Sequence, residues 1–143
     1  MNFTFYYFVK IFKLSKNCCI TLKELGEKVY LTGQAASSRV AKLEDNGVIE
    51  SYTINVNHIK LGSNVHAFIN IYTKSPYHEP NLSFLKTKEQ FVLNNFKISG
   101  DSCYLLECRF PSNEVLDQFL DDLNKHANYK LSRLPGIFQL LKI

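Results

Sequence analysis

The chain has 143 residues, 45% of them hydrophobic, and a net charge of +4. This length accommodates one domain or two small ones, and the apolar content is enough to build real cores. The opening MNFTFYYFVKIFKL is apolar but short and is broken by Lys10 and Lys13, which argues against a membrane span, and no small-residue cleavage site follows it. It predicts a first amphipathic helix of a cytoplasmic protein that has no membrane partner.

Two short helices joined by a tight turn are predicted next. Thr21 and Glu24 have the spacing of a capping box, in which each side chain satisfies the other's free backbone N–H, so a helix should begin at Leu22. Thr32 is a good N-cap for a second helix, which should end at Asn46-Gly47 in a left-handed cap. A helix-turn-helix of this kind supports DNA binding, because its second helix can enter the major groove while the first braces on the backbone.

The second helix lies in LTGQAASSRVAKLEDNGVIESY, residues 31–52. Ala36, Val40 and Leu43 recur at i, i+4 and i+7, so one stripe is buried. The other side chains form a polar face that can lie against a phosphate-lined groove without burying unpaired carboxylates. The helix alone is also compatible with an ordinary solvated face. The candidate DNA-binding residues are Thr32, Gln34, Ser37, Ser38, Arg39 and Lys42.

Local charge and the segment after this helix add to the interpretation. Residues 10–42 contain seven basic residues against two acids, an excess that can attract a polyanion. The turn at Gly47 followed by a strand is the layout of a recognition helix and the first strand of a wing. We therefore predict a winged helix-turn-helix over residues 1–52, followed by a linker strand over residues 53–63.

The second half of the chain changes to a period of two. Alternation from Val65 to Tyr72 predicts a strand, and residues 81–91 suggest a helix. Residues 92–98 and 102–110 read as two strands joined by the Ser99-Gly100-Asp101 turn. A strong helix should begin near residue 113, and a last strand is predicted over residues 137–143. The apolar face of that helix comprises Leu116, Phe119, Leu120, Leu123 and Ala127.

The resulting order, βαββαβ, predicts a ferredoxin-like domain and an α+β fold for the chain. Its two helices should cover one face of an antiparallel sheet. The other face, which carries Phe68 and Tyr72 or the opposite set, is left bare and needs a partner. A second copy of the chain is the simplest partner for this face and gives a two-fold dimer. Such a dimer also suits two recognition helices that read two half-sites.

The cysteines and histidines predict neither a metal nor a catalytic site. Cys18 and Cys19 are adjacent and lack the two-residue gap of a zinc knuckle. Cys103 and Cys108 are five apart in a predicted strand and should face opposite sides. The histidines have no carboxylate or cysteine at ligand spacing. We expect reduced thiols, no metal and no cofactor.

The order and spacing of these elements resemble the Lrp/AsnC (leucine-responsive/asparagine, or feast/famine) family of transcriptional regulators. The resemblance covers residues 20–143 and rests on LTGQAASSRVAKLEDNGVIESYTINVN, KLG, ISGDSCYLLECRF and VLDQFLDDL. It implies a sequence-specific regulator of double-stranded DNA that forms homodimers and often rings of dimers. It also implies small molecules, usually amino acids, bound near the Gly-Asp turn by residues 64–143. The candidate effector-binding residues are Gly100, Asp101, Ser102 and Cys103.

Two departures from the family pattern are visible. The family's first helix usually opens with a Leu-Asp-x-x-Asp pattern, whereas the corresponding stretch FTFYYFVKI contains no acid. The family's hairpin typically continues Gly-Asp-x-Asp, and Cys103 stands where its second acid would be. A neutral thiol cannot pair by charge with the ammonium group of an amino acid.

Two other function classes remain open at this point. Haem-pathway decarboxylases resemble the same family in both domains, but they need basic residues for tetrapyrrole carboxylates and a histidine near the metal. His66, His78 and Arg109 show no such pattern. The third class is a ligand-binding or assembly module whose DNA-binding half is degenerate, and equal affinity for all duplexes would indicate it.

Overall fold

The computed structural model describes residues 5–135, and the chain divides into two units, residues 1–55 and 56–143. The first unit contains three helices, α1 (Phe5–Lys16), α2 (Leu22–Lys28) and α3 (Gly33–Asp45). The predicted amphipathic helix and helix-turn-helix are therefore confirmed. Within residues 5–135, none of the helices has the length and apolar character needed to cross a membrane.

A small apolar core holds the three helices together. Leu14 of α1, Leu25 of α2 and Val40 of α3 are buried against one another, with Val29 at the end of α2. Full burial of an aliphatic side chain of this size stabilises a fold by about 1.5 to 3 kcal/mol. The first helix is thus a structural part of the helix-turn-helix unit.

The segment after α3 differs from the sequence prediction. Neither the expected first strand of the wing after Gly47 nor the linker strand over residues 53–63 is present: residues 48–57 contain no strand, and residues 58–62 form a turn. A strand needs a neighbour to complete its ladder of hydrogen bonds, and among the described residues the sheet is built by four strands that all lie later in the chain. Side chains exposed along residues 51–55 are consistent with a segment that lacks such a neighbour.

The second unit has the predicted βαββαβ order. Its elements are β1 (Val65–Thr73), α4 (Glu79–Thr87), β2 (Val92–Lys97), β3 (Tyr104–Phe110), α5 (Asn113–Asn124) and β4 (Ala127–Leu134). The strands form one antiparallel sheet in the order β2-β3-β1-β4. The α+β, ferredoxin-like prediction is confirmed.

One face of this sheet packs on the two helices. The predicted alternation of β1 is confirmed, and the structure shows that Ala67, Ile69 and Ile71 are the inward set; the buried set of β3 from Tyr104 to Phe110 alternates in the same way. The aromatic rings of Phe110 and Phe119 meet edge to face with centroids 5.1 Å apart. The helical contribution to this core comes from Phe84, Leu85, Leu116, Phe119, Leu120 and Leu123.

The end of the chain differs from the prediction. The expected strand over residues 137–143 lies outside the described residues, and the strand that completes the sheet comes earlier. Ala127, expected on the apolar face of the last helix, is instead the first residue of β4 and pairs with Thr73. It lies four residues after Leu123, so helical periodicity alone could not separate it from α5; pairing along the whole of β1 decides its conformation.

Candidate nucleic-acid interface

Two hydrogen-bonded caps set where the helices of the helix-turn-helix begin. The Thr21 hydroxyl accepts from the Glu24 N–H at 3.2 Å, and the Glu24 carboxylate accepts from the Thr21 N–H at 3.1 Å. The Glu24 carboxylate also accepts from the Thr21 hydroxyl at 2.9 Å, and the bonds that it accepts from the Thr21 N–H and hydroxyl lower the pKa of Glu24. The Thr32 hydroxyl accepts from the Ala35 N–H at 3.1 Å and starts α3. Both caps are the ones that the sequence predicted.

The turn between α2 and α3 depends on a close backbone approach at Gly26. The Leu31 N–H donates to the Gly26 carbonyl at 2.8 Å, and a Cβ on Gly26 would lie 2.6 Å from the Leu31 carbonyl oxygen. Tyr30, in the same turn, has a φ of 57° and an almost fully exposed side chain. A glycine at position 26 therefore lets α2 pack directly on the backbone that leads into α3.

The two faces of α3 are divided as predicted. Ala36, Val40 and Leu43 are buried. The opposite face is open: Gln34, Ser38 and Lys42 are exposed, as is Ala41, while Ser37 and Arg39 are half-exposed at its edges. Thr32 is exposed as well, with its hydroxyl oxygen engaged in the cap. The structure therefore brings all six candidate DNA-binding residues to one end or one side of α3.

The last turn of α3 has a hydrogen-bond partner, Tyr52, that the sequence interpretation missed. The Tyr52 hydroxyl donates to Glu44 Oε1 at 2.6 Å, and this bond, with burial and the Glu44 charge adding to it, raises the pKa of Tyr52 to about 12. The bond ties the segment after the helix to the last turn of α3. No periodic signal links a glutamate on a helix to a tyrosine in an irregular segment, so the sequence could not have indicated it.

The basic residues do not all reach the surface. Lys10 is buried, and its burial and the charge of Arg39 lower the pKa of Lys10. Lys16, Lys23 and Lys28 are exposed, along with Lys42. The outward positive charge of this unit therefore comes from fewer residues than the sequence count suggests.

The Gly-Asp turn lies between β2 and β3 and presents the second candidate site. Gly100 is exposed with a φ of 140°. Asp101 Oδ2 accepts from the Tyr72 hydroxyl at 3.2 Å, and burial together with this bond raises the pKa of Tyr72. The buried Ser102 donates to Asn70 Oδ1 at 3.1 Å. The predicted turn residues are thus joined to the sheet face that the helices leave uncovered.

Cys103 belongs to a chain of polar contacts that the sequence did not reveal. Its Sγ lies 3.4 Å from Thr73 Oγ1, which lies 3.1 Å from His78 Nε2. The other ring nitrogen of His78 is 2.9 Å from the Tyr104 hydroxyl. The side-chain hydrogen bond with Thr73 lowers the pKa of Cys103. Cys103 lies 30 residues after Thr73, so only the fold brings its thiol to the Thr73–His78 pair.

Several known proteins are similar to this chain in sequence or in fold. Residues 14–50 match a family described as winged helix-turn-helix DNA-binding. The HTH-type transcriptional regulator LrpA of Bacillus subtilis is 60% identical over 124 residues, which cover 87% of this chain and 91% of that protein. The solved structure of B. subtilis LrpC has a TM-score of 0.87 at 25% identity and covers 98% of this chain and 99% of its own.

A further solved structure contains a ligand. A feast or famine regulatory protein of Mycobacterium tuberculosis, solved in complex with L-methionine, has a TM-score of 0.82 at 23% identity. The match covers 96% of this chain and 95% of that one. At this level of identity the comparison establishes a shared fold.

Proposed function

This chain belongs to the Lrp/AsnC family of HTH-type transcriptional regulators, and from that premise we propose how its two units divide the work of a DNA-binding regulator. Residues 1–52 bind double-stranded DNA, and residues 64–143 form a homodimer and bind an amino acid. Residues 53–63 connect these two segments. The observation that carries the proposal is the exposed polar face of α3, which lies opposite a buried apolar stripe.

Each exposed side chain of α3 suits one kind of contact. Gln34, at the start of the helix, can form paired hydrogen bonds with an adenine edge, and Ser38 can bond to any base. Lys42 projects into solvent and suits a phosphate contact. Ser37 and Arg39, at the edges of the face, suit phosphates that flank the groove.

The homodimer is supported by the uncovered face of the sheet. Phe96 of β2 pairs with Leu105 of β3 on this face, and Leu134 of β4 pairs with His66 of β1. Phe96 and Leu134 are 49% and 39% exposed, so a second copy would remove apolar surface from water. Further association into rings of dimers is part of the same proposal.

The amino-acid effector is supported by the ligand of the mycobacterial relative, L-methionine, and by the polar groups around the Gly-Asp turn. Gly100, Asp101, Ser102 and Cys103 are the residues that we propose to line the site. Asp101 would pair with the ammonium group of the ligand, since its carboxylate is exposed and, among residues 5–135, accepts one hydrogen bond, from Tyr72.

Selection of bound fragments from random or genomic DNA by the purified protein tests the proposal. We expect enrichment of a motif with approximate two-fold symmetry and half-sites about one helical turn, or a multiple of it, apart. Equal affinity for all duplexes would instead indicate a degenerate DNA-binding half. The named relatives are transcriptional regulators, which favours this function over that of a haem-pathway decarboxylase.

A further inference from the structure

The uncovered face of the sheet carries a cluster of ionisable side chains. His66 of β1 lies opposite Arg109 of β3 in the register of the sheet, and its Nε2 is 2.8 Å from Glu107 Oε1. The other carboxylate oxygen of Glu107 accepts from Asn94 Nδ2 of β2 at 2.8 Å. The ring of Phe68 lies beside that of His66, with centroids 5.3 Å apart. Three ionisable groups therefore meet on a face whose other side packs on the helices.

His66 is the member of this cluster whose charge changes near neutral pH. Burial raises the pKa of Glu107, but the hydrogen bonds from Asn94 and His66, with the charges of His66 and Arg109 adding to them, lower it by more, so the pKa lies below its usual value. A histidine side chain, by contrast, changes charge between about pH 5 and 8. The cluster is therefore neutral while His66 is neutral, and it carries one positive charge in excess when His66 is protonated.

Within residues 5–135, the neighbouring strands place no other charged side chain opposite His66. β4 places Leu134 opposite it. Lys130 of β4 lies on the same face but opposite Asn70, four residues along β1 from His66. β2 contributes the neutral amide of Asn94. The charge balance of the cluster is therefore set by its own three ionisable groups.

We propose that protonation of His66 weakens self-association through this face, so that the homodimer is tighter at slightly alkaline pH than at acidic pH. This inference rests on the homodimer proposed above. In a two-fold contact each face meets its own copy, and the adjacent opposite charges of Glu107 and Arg109 make this face complementary to itself. Arg109 also brings a donor to such a contact, since its Nε is buried and, among residues 5–135, donates to no acceptor.

Covering the face changes which charge state of His66 is favoured. In a single copy His66 is half-buried, and both water and Glu107 stabilise its protonated form. A second copy removes that water, and two clusters with an excess positive charge would then face each other, which is costly. Two clusters with neutral histidines carry no net charge. Formation of the dimer therefore releases a proton from each protonated His66, and each of the two sites changes the dissociation constant by up to about tenfold per pH unit.

The dissociation constant of the full chain, measured by fluorescence-detected sedimentation at about pH 7.5 and about pH 5.5, tests the inference. We expect the wild-type constant to be at least about tenfold higher at the lower pH. If the dimer is too tight to dissociate at nanomolar concentration, the rate at which two labelled pools exchange subunits should rise in the same way. His66→Gln keeps a donor for Glu107 without the charge, so it should associate equally at both values. His58→Gln, outside the sheet, should respond to pH like the wild type.

A second variant tests the charge balance itself. Glu107→Gln leaves the excess positive charge of Arg109 in place while His66 is neutral, so at about pH 7.5 it should already associate as weakly as the wild type does at about pH 5.5. Unchanged association in this variant would overturn the inference. So would a wild-type dimer of equal strength at both pH values, or a pH response in His66→Gln equal to that of the wild type, and either result would leave the homodimer standing. A chain that is monomeric at both pH values would overturn the proposed homodimer as well.

Discussion

Arg39 and Lys42 carry the same charge on α3 but lie in different surroundings. Arg39 is half-exposed, and its charge helps to lower the pKa of the buried Lys10. Lys42 is exposed on the open side of the helix. Two side chains of one charge on one helix are therefore expected to serve DNA binding by different routes.

Lys42→Ala should weaken DNA binding equally on preferred and random duplexes. A phosphate contact attracts any sequence, and its loss should reduce the slope of log affinity against log salt by about one unit. Titrations at several salt concentrations measure both effects. Lys86→Ala, at an exposed position of α4, removes the same charge from the other unit and should leave the slope unchanged. An unaltered slope in Lys42→Ala would show that this face of α3 points away from DNA.

Gln34→Ala should affect sequence preference instead. A paired hydrogen bond to an adenine edge distinguishes the right base from the wrong one by roughly 1 to 3 kcal/mol. We expect a loss of this size on the selected site and a much smaller loss on random DNA. Binding titrations on both duplexes provide the comparison. Equal losses would remove Gln34 from the residues that read bases.

At the scale of elements, the α2–α3 junction is set by backbone packing. An alanine normally favours a helix over glycine by about 1 kcal/mol, but Gly26→Ala would place its Cβ 2.6 Å from the Leu31 carbonyl oxygen. Backbone atoms cannot move aside cheaply, so we expect the free energy of unfolding of the helical unit to fall by about 1 to 3 kcal/mol. Urea unfolding followed by circular dichroism measures it. Lys23→Ala, exposed on the same helix, should change stability by less than about 0.5 kcal/mol.

The β2–β3 hairpin offers a test of the effector site. Cys103→Asp would place a carboxylate where the family pattern has one, and a charge-assisted hydrogen bond to an ammonium group is about twice as strong as a neutral one. Thermal shift with each of the twenty amino acids should show stronger stabilisation by at least one of them than in the wild type. Cys103→Ser is the neutral control. If no amino acid stabilises either the wild type or Cys103→Asp, and Gly100→Val still folds and binds DNA, the turn is purely structural.

At the scale of the whole molecule, the uncovered sheet face should decide assembly. Phe96→Asp would introduce a charge on apolar surface that we propose is buried between two copies, where an unpaired charge is costly. We expect a monomer by light scattering and weaker binding to a two-half-site duplex. Tyr30→Asp, at a position that is 95% exposed on the helical unit, introduces the same charge as a control. A Phe96→Asp dimer of unchanged stability would place the interface elsewhere.

The sequence by itself determined the features whose causes are local. The capping box of Thr21 and Glu24, the cap at Thr32 and the buried stripe of α3 each involve residues within a few positions of one another. The alternation of β1 is equally local. These signals were sufficient for the helix-turn-helix, the elements from β1 to α5 and the exposed face that carries the candidate DNA contacts.

Only the tertiary structure decided the features that depend on distant neighbours. The segment after α3 is not a strand because no described strand lies beside it, and β4 begins at Ala127 because β1 pairs with it. The burial of Lys10, the bond from Tyr52 to Glu44 and the contacts of Cys103 join residues that no local pattern connects. Periodicity specifies which face of an element is apolar, but the partner that covers or pairs with that element is a property of the folded chain.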